Sequence, residues 1–363
     1  MKILLVITGL GMGGAEHVVV NMADELFKKG YEVKIVYLTG SALVLPKSSN
    51  IEVIPLNMMG AKSFVSSYFR LRSIVKRFKP DVIHSHMVHA NILTRCLRLS
   101  LKVKKIISTS HSNNEGGKVR MFAYRITDKL ANISTNVSED AVNESIRRGG
   151  VKKGRMLSIP NGINTEKFCF NDESRSKIRN ELNINHKKIL LAVGRLTEAK
   201  DYPNLLNAIK LLKKQRTDFK LFIVGDGPLK SYLINMIEEL NLADHVQLLG
   251  IRNDIPTLMS AADLFVLSSA WEGFGLVVAE AMACERLVVA TDCGGVAQVV
   301  SPYGVLVKPK DPVSLSNAMN SSMNLSSDES AKIGSLSRSH IINNYSLIKN
   351  VESYERLYNS PKV

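Results

Sequence analysis

Residues 188–215 read "KILLAVGRLTEAKDYPNLLNAIKLLKKQ". The stretch opens on "KILLAVG", a run of Ile, Leu and Val of the kind that a buried parallel strand needs. It closes on "NLLNAIKLLKKQ", whose apolar residues recur at helical spacing. Strand, loop and helix in that order are the front half of a βαβ unit. The same pattern runs along the whole chain. Before residue 160 the apolar runs are "KILLVIT", "EVKIVYL", "IEVIPL", "DVIHSH", "KKIISTS", "NISTNVS" and "RMLSIP". After residue 187 they are "KILLAVG", "FKLFIVG", "VQLLG", "DLFVLSS", "RLVVAT" and "YGVLV".

This repetition predicts an α/β protein of two doubly wound, Rossmann-like domains facing a central cleft. The expected N-terminal domain is 1–165. A polar stretch, 166–186, is read as a linker, and 187–344 as the C-terminal domain. An amphipathic segment at about 345–359, "YSLIKNVESYERLY", closes the chain as a helix. A length of 363 residues is also more than one ordinary core holds.

Composition narrows the function classes. No run approaches the roughly 20 apolar residues of a membrane span. The opening "MKILLVITGLGMGG" could pass for a signal peptide, but it ends in glycines without a small-residue cleavage pattern and reads as a first buried strand. Cys96, Cys169, Cys284 and Cys293 lack metal-ligand or disulfide-scaffold spacing, which fits a reduced, cytoplasmic protein. The net charge of +15 is uneven: residues 1–165 carry 25 Lys and Arg against 11 Asp and Glu. A basic half attracts phosphates, nucleic acid or anionic lipid. No RNP-like aromatic pattern or zinc finger supports nucleic acid as the partner.

Several motifs could carry chemistry. After the first strand, Gly9, Gly11 and Gly14 match G-x-G-x-x-G. The second strand ends without the acidic residue that a nicotinamide site wants, so the dinucleotide reading loses its second element. What remains is a glycine-opened helix whose N–H groups can approach an anion, or simply a tight turn. In "VGRLTEAKDYP", Arg195 and Lys200 flank a loop at a strand's C-terminal end. An Arg fork and a Lys point charge there suit a diphosphate. The plain alternative is two solvated cations. "VGDGP" places Gly225 and Gly227 in a further strand-to-helix turn, which is either only a turn or a wall of a nucleotide site.

"WEGFGLVVAE", residues 271–280, separates Glu272 from Glu280 by seven residues. Gly273 and Gly275 let backbone amides approach a ligand. A helix beginning near Leu276 would put Glu280 about one turn in. A loop carboxylate can accept from sugar hydroxyls, and one inside the helix can bind the two hydroxyls of a ribose. A hydrolytic acid/base pair would need similar residues, but has no use for a diphosphate clamp. His84, His86 and His89 cluster in "HSHMVHA", and His111 lies in "STSHSNN". No acidic or cysteine partner at familiar spacing supports a metal there. His111 is expected to line the cleft, and the others read as polar loop residues. No D-x-D sequence occurs, so cationic side chains and helix dipoles are the expected means of neutralising a diphosphate, with neither metal nor cofactor.

Taken in order, "GGAEHVVVNMADELFKKGYEV", "DVIHSH", "PNGINTEKF", "VGRLTEAKDYPNLLNAI", "VGDGP", "WEGFGLVVAEAMA" and "GGVAQVV" resemble the family 4 retaining glycosyltransferases with the GT-B fold. The resemblance runs nearly end to end. It implies that Arg195 and Lys200 bind the donor diphosphate, and that Glu280 binds the nucleotide ribose. Glu272, with the amides around Phe274 and Gly275, would hold the donor sugar. Gly13 and Gly14 would approach the diphosphate or sugar, and His111 would contact the transferred sugar. The last helix would return to the N-terminal domain. Asp201 departs from the family, which often has glycine there. The implied reaction is metal-independent transfer from a nucleotide-diphosphate sugar, with UDP-sugar first, to a glycan acceptor. A lipid-linked acceptor of cell-surface polysaccharide or O-antigen assembly would suit the basic half. A nucleotide-sugar epimerase of the same architecture is the alternative.

The stretch "AKSFVSSYFRLRSIVKRFKP" sets Phe64, Tyr68, Leu71, Val75 and Phe78 on one helical face, with Arg70, Arg72, Lys76, Arg77 and Lys79 around it. It reads either as a core helix with a cationic solvent face or as a helix lying on anionic lipid. The second reading would place a cytoplasmic protein peripherally on the inner face of the membrane.

Overall fold

The computed structural model describes residues 1–112, 116–184 and 187–361. Each apolar run named above contains one strand. The first seven are β1 (Lys2–Gly9), β2 (Glu32–Thr39), β3 (Glu52–Pro55), β4 (Val82–His86), β5 (Lys105–Thr109), β6 (Ile133–Asn136) and β7 (Met156–Ser158). They form a parallel sheet in the order β3-β2-β1-β4-β5-β6-β7. The remaining six are β8 (Lys188–Val193), β9 (Phe219–Val224), β10 (Val246–Gly250), β11 (Leu264–Leu267), β12 (Leu287–Thr291) and β13 (Val305–Val307). Their order is β10-β9-β8-β11-β12-β13, again all parallel. The chain divides into two compact units, Met1–Gly162 with Leu347–Val363, and Ile163–Ser346.

In both sheets the strand order reverses beside the first strand. The reversal falls between β1 and β4 in one unit and between β8 and β11 in the other. In a doubly wound sheet this is where the helices on the two faces part, and a crevice opens beyond the strands' C-terminal ends. The pleat explains why both faces bury apolar residues. Ile3, Leu5 and Ile7 of β1 pack in one layer with Met22, Leu26 and Val351. Leu4 and Val6 pack in the opposite layer with Leu71, Val75 and Phe78.

The helix Phe64–Phe78 therefore spends its expected apolar face on the core. Leu71, Val75 and Phe78 are buried, and Phe64 and Tyr68 pack against the same cluster. The polar stretch read as a linker, 166–186, carries the helix Asp172–Glu181 in its described part. Residues 185–186 lie outside the described residues. Arg175 and Arg179 on this helix both bond Asp263, at 2.5 and 3.1 Å, and Arg175 also donates to the carbonyls of Ser260, Ala261 and Ala262. Charges that look solvated in sequence are thus committed to the end of the helix Ile255–Ala261.

The last helix, Leu347–Asn359, belongs to the first unit. Val351, Tyr354 and Tyr358 are buried in its core. Lys105 of β5 donates to the carbonyls of Leu357 and Tyr358 at 2.8 and 3.0 Å and so closes the helix C-terminus. The Tyr358 hydroxyl meets Nδ1 of the fully buried His84 at 2.7 Å. A Tyr358→Phe substitution removes that partner and leaves a buried ring nitrogen unpaired. We expect a loss of about 1–3 kcal/mol in urea unfolding followed by a first-unit probe. An unchanged midpoint would show that the hydroxyl contributes nothing.

Candidate functional site

The chain leaves β8 at Val193 and β11 at Leu267, the two strands that flank the second reversal. The loops that follow are stitched together. Ala270 N–H donates to Ala199 O at 2.9 Å, and Ser268 Oγ donates to Lys200 O at 2.8 Å. Buried Tyr202 donates its hydroxyl to Gly194 O at 3.1 Å. These bonds bring Lys200 against Glu272: Nζ stands 2.5 Å from Oε1, with both side chains largely buried. Ser269 Oγ donates to the same oxygen at 2.7 Å. Lysine has three N–H donors, so the pairing with Glu272 leaves others for a further anion. Glu272 Oε2 takes no hydrogen bond among the described residues. Arg195 is exposed, and its guanidinium forms no ion pair among them.

Asp201 explains itself locally. Its φ of 45° is left-handed, which is why glycine suits the position, and its side chain accepts from Asn204 N–H to cap the helix Tyr202–Lys213.

Gly225 and Gly227 brace the Arg195 loop. Gly225 has φ 140°, and a side chain there would collide with the Gly194 carbonyl. A Cβ on Gly227 would stand 2.5 Å from Leu196 O. Leu196 N–H donates to Asp226 O, and Leu229 N–H to Leu196 O, both at 3.0 Å. The close approach of two backbones thus accounts for both glycines.

Past Glu272, Gly273 continues the loop, and Gly275 takes φ 85° to start the helix Leu276–Ala283 at Leu276. The buried Phe274 ring packs edge-on against Tyr345, with centroids 5.6 Å apart, so this residue can offer a ligand only its backbone. Glu280 lies one turn inside the helix. Loss of solvation pushes its carboxyl up to about 8, against the opposing pull of Lys167 and Lys200. Sequence reasoning had passed over Lys167. Its only signal was membership of "PNGINTEKF", since nothing local ties it to Glu280. Arg195, Lys200, Glu272 and Glu280 are all borne by the loops and helix that follow β8 and β11.

In the first unit, Gly13 caps the helix Gly14–Lys28 without a side-chain bond of its own. A Cβ on Gly13 would collide with the carboxylate of Glu16. The chain's own anion therefore already sits at the helix N-terminus predicted to meet a phosphate. His84 and His86 are not loop residues. Both lie inside β4, fully buried, because β4 stays paired with β5 up to His86 opposite Thr109. His111, two residues past β5, bonds His86 through Nε2 and Nδ1 at 3.1 Å. Burial holds His84 down to about 3 and His111 to about 4. Among the described residues no group of three or more His, Cys, Asp or Glu is placed to hold a metal ion.

The family model described as Glycosyltransferase Family 4 matches residues 12–167, and the one described as Glycosyl transferases group 1 matches residues 174–340. The chain is similar to the UDP-Gal:alpha-D-GlcNAc-diphosphoundecaprenol alpha-1,3-galactosyltransferase of Escherichia coli: 28% identical over 315 residues, or 82% of this chain and 79% of that one. A shorter match, 43% identical over 105 residues, links 29% of the chain to 28% of a second protein, from Campylobacter jejuni. That protein is the N-acetylgalactosamine-N,N'-diacetylbacillosaminyl-diphospho-undecaprenol 4-alpha-N-acetylgalactosaminyltransferase. Among solved structures, Anabaena HepE in complex with UDP-glucose superposes with a TM-score of 0.88 at 21% identity, over 99% of this chain and 100% of that one. At that identity the likeness speaks for the fold.

Glu280 gives the site a pH signature. An unfolded glutamate releases its proton near 4.5, whereas folded Glu280 keeps it up to about 8. Between these values the unfolded state holds fewer protons, so rising pH disfavours folding. A Glu280→Gln variant lacks this penalty. Its stability relative to wild type should rise by about 1–3 kcal/mol from pH 4.5 to pH 8, allowing for partial exposure, and then level off. Parallel pH profiles for the two proteins would refute the shift.

Proposed function

We propose that this chain, which belongs to the family 4 glycosyltransferases of the GT-B type, moves a sugar from a UDP-sugar to a hydroxyl of a lipid-linked glycan, with retention of configuration. The observation that carries the reading is the Lys200–Glu272 pair beside Arg195 at the β8/β11 reversal. Charge develops on the leaving diphosphate, so preorganised cations there lower the barrier most. Arg195 can fork two phosphate oxygens, and Lys200 can turn its remaining N–H donors toward them. No resident metal is called on in this scheme. Glu272 keeps Oε2 for a sugar hydroxyl, while Lys200 and Ser269 hold Oε1 in place. The amides of Gly273, Phe274, Gly275 and Leu276 follow at once, on a loop that the left-handed Gly275 turns into a helix.

Glu280 would take the ribose diol. A diol donates better to a carboxylate than to an acid, so nucleotide binding favours loss of the Glu280 proton. Gly225 and Gly227 act here through the Arg195 loop that they brace. His111, with Gly13 and Gly14, would serve the sugar from the first unit. Because Glu16 covers that helix N-terminus, a phosphate reaching it would have to displace the carboxylate.

The acceptor part rests on the relatives, two of which carry diphosphoundecaprenol-type substrates in their names, and on the first unit's surface. Among the described residues no helix is long and apolar enough to cross a membrane. The helix Lys118–Asp128 nevertheless leaves Val119, Phe122 and Ile126 exposed, beside Arg120 and Arg125. Its inner side is fastened by buried Arg95, which donates to Tyr124 O at 3.1 Å, pairs with Asp128 and stacks on the Tyr124 ring. With that side held by polar bonds, the outer apolar stripe has no core to enter. On the helix Phe64–Phe78, Val65 and Phe69 are exposed as well, near Arg70 and Arg72. Apolar side chains ringed by cations suit an anionic lipid surface on which a lipid-linked acceptor would lie. We place the protein peripherally on the cytoplasmic face of such a membrane.

Two measurements test this. Purified protein is offered UDP-, GDP- and ADP-sugars, with and without EDTA, and released nucleoside diphosphate and sugar are read by mass spectrometry. We expect turnover of one UDP-sugar, unaffected by EDTA, and a loss of about 100-fold or more in Arg195→Ala. Near-normal turnover in that variant removes Arg195 from the chemistry, and epimerised sugar without transfer replaces the transferase reading. In vesicle sedimentation at low salt, a Phe122→Ser, Ile126→Ser double variant should bind anionic vesicles about tenfold more weakly than wild type while hydrolysing donor normally. Equal binding by the two proteins would exclude this helix as the lipid-facing surface.

A further inference from the structure

The first unit buries a polar line that the proposed chemistry leaves unused. His84 and His86 are alternate residues of β4 and so share one face, as do Ile107, Thr109 and His111 along β5 and just past it. His84 sits at the deep end. Its Nδ1 meets Tyr358 OH at 2.7 Å and its Nε2 meets Thr109 Oγ1 at 2.6 Å, so both nitrogens are satisfied. His86 lies one step toward the strand end. Its ring rests on His84, with centroids 4.0 Å apart, and its Nδ1 meets His111 Nε2 at 3.1 Å. His86 Nε2 and His111 Nδ1 are both shielded from water and have no hydrogen-bond partner. His86 itself is 0% exposed.

Proton counting constrains this pair. Burial keeps both rings neutral, with His86 held well below the usual histidine range and His111 at about 4. A neutral imidazole has one N–H, and the bond between the rings uses one donor and one acceptor. The two outer nitrogens must then be one N–H and one bare nitrogen. Either His86 donates to His111, leaving His111 Nδ1–H outward, or His111 donates to His86, leaving His86 Nε2–H outward. Burial selects between them: a buried donor without a partner is the rarer defect, and His86 is fully buried whereas His111 is only half-buried.

We propose that His86 is a positioning residue: it donates from Nδ1 to His111 Nε2 and so holds His111 in the tautomer that offers Nδ1–H to a ligand hydroxyl. His84, fixed by Tyr358 and Thr109, is the floor that keeps the His86 ring in the plane this bond needs. The inference rests on the reading of His111 as a sugar-contacting residue. It adds what sets that residue: an unpartnered Nδ1–H donor, suited to a ligand oxygen rather than to a metal.

The test reads the tautomer directly. Full-length protein labelled with 15N-histidine is examined by long-range 1H–15N correlation, with His111 assigned by its loss in His111→Gln. We expect Nδ1–H in wild type. In His86→Leu, His111 should shift toward Nε2–H, and kcat for the accepted UDP-sugar should fall at least about tenfold while KM stays within about threefold. In His86→Asn, whose amide can donate from nearly the position of Nδ1, both the tautomer and most of kcat should return. An Nε2–H tautomer in wild type overturns the proposal, and so does a His86→Leu protein that keeps both its tautomer and its kcat. If His86→Leu does not fold, wild type and His86→Asn decide the question. If no nucleotide sugar is turned over, the transferase reading fails, yet the spectra still show whether His86 sets the His111 tautomer.

Discussion

The reversal of strand order beside β8 is the constraint on which the second unit's site depends. Strands added to one side of β8 carry their helices over one face, and those added to the other side carry them over the opposite face. The loops after β8 and β11 are therefore the pair with no helix crossing between them, and they are free to meet. Their meeting needs a tight backbone fit, supplied by Gly225 and Gly227 against residues 194–196. It also needs a polar seam, supplied by Ser268, Ala270 and Tyr202. Lys200 and Glu272, far apart in sequence, become an ion pair only after that geometry exists.

The strands could be read from the residues because parallel strands buried on both faces are largely apolar, and short apolar runs recur in step with the thirteen strands among the described residues. The start of the 276–283 helix was legible for a similar reason: Gly275 must turn left-handed to begin it. What escaped reading shares one cause, which is compensation by distant residues. "DVIHSH" counts as a strand run, yet its histidines read as loop residues, because two histidines cost too much in a strand unless partners are supplied, and those partners lie at Tyr358, Thr109 and His111. Arg175 and Arg179 look like linker charges until Asp263 is placed beside them. The glycine-rich turn after β1 promised an open anion site. Glu16, three residues on, is also suited to that helix N-terminus, and spacing alone does not say whose carboxylate or phosphate wins.

The two units solve opposite electrostatic problems. The first carries the excess positive charge, yet the residues at its strand ends are neutral imidazoles, held so by burial. Apart from buried Arg95 and Lys105, many of its cations lie outward, several of them around exposed apolar residues on the helices Phe64–Phe78 and Lys118–Asp128. In the second, cations stand at the strand ends themselves, and Lys200 is paired with Glu272 in a largely buried setting.

Glu272 and Glu280 differ although they flank the same short segment. Glu272 receives Lys200 and Ser269 on one carboxyl oxygen and is held still by them. The Glu280 carboxyl receives no hydrogen bond among the described residues. The pull of Lys167 and Lys200 does not offset its lost hydration, so it keeps a proton to about pH 8. A carboxyl left in that state is poised rather than spent: hydrogen bonds from a ligand diol would supply what solvent no longer does. The segment "WEGFGLVVAE" thus holds one carboxyl already committed to its place and one that keeps its proton for want of hydration. The difference comes from the helix that begins between them, which leaves the first on the seam of two loops and carries the second one turn inward.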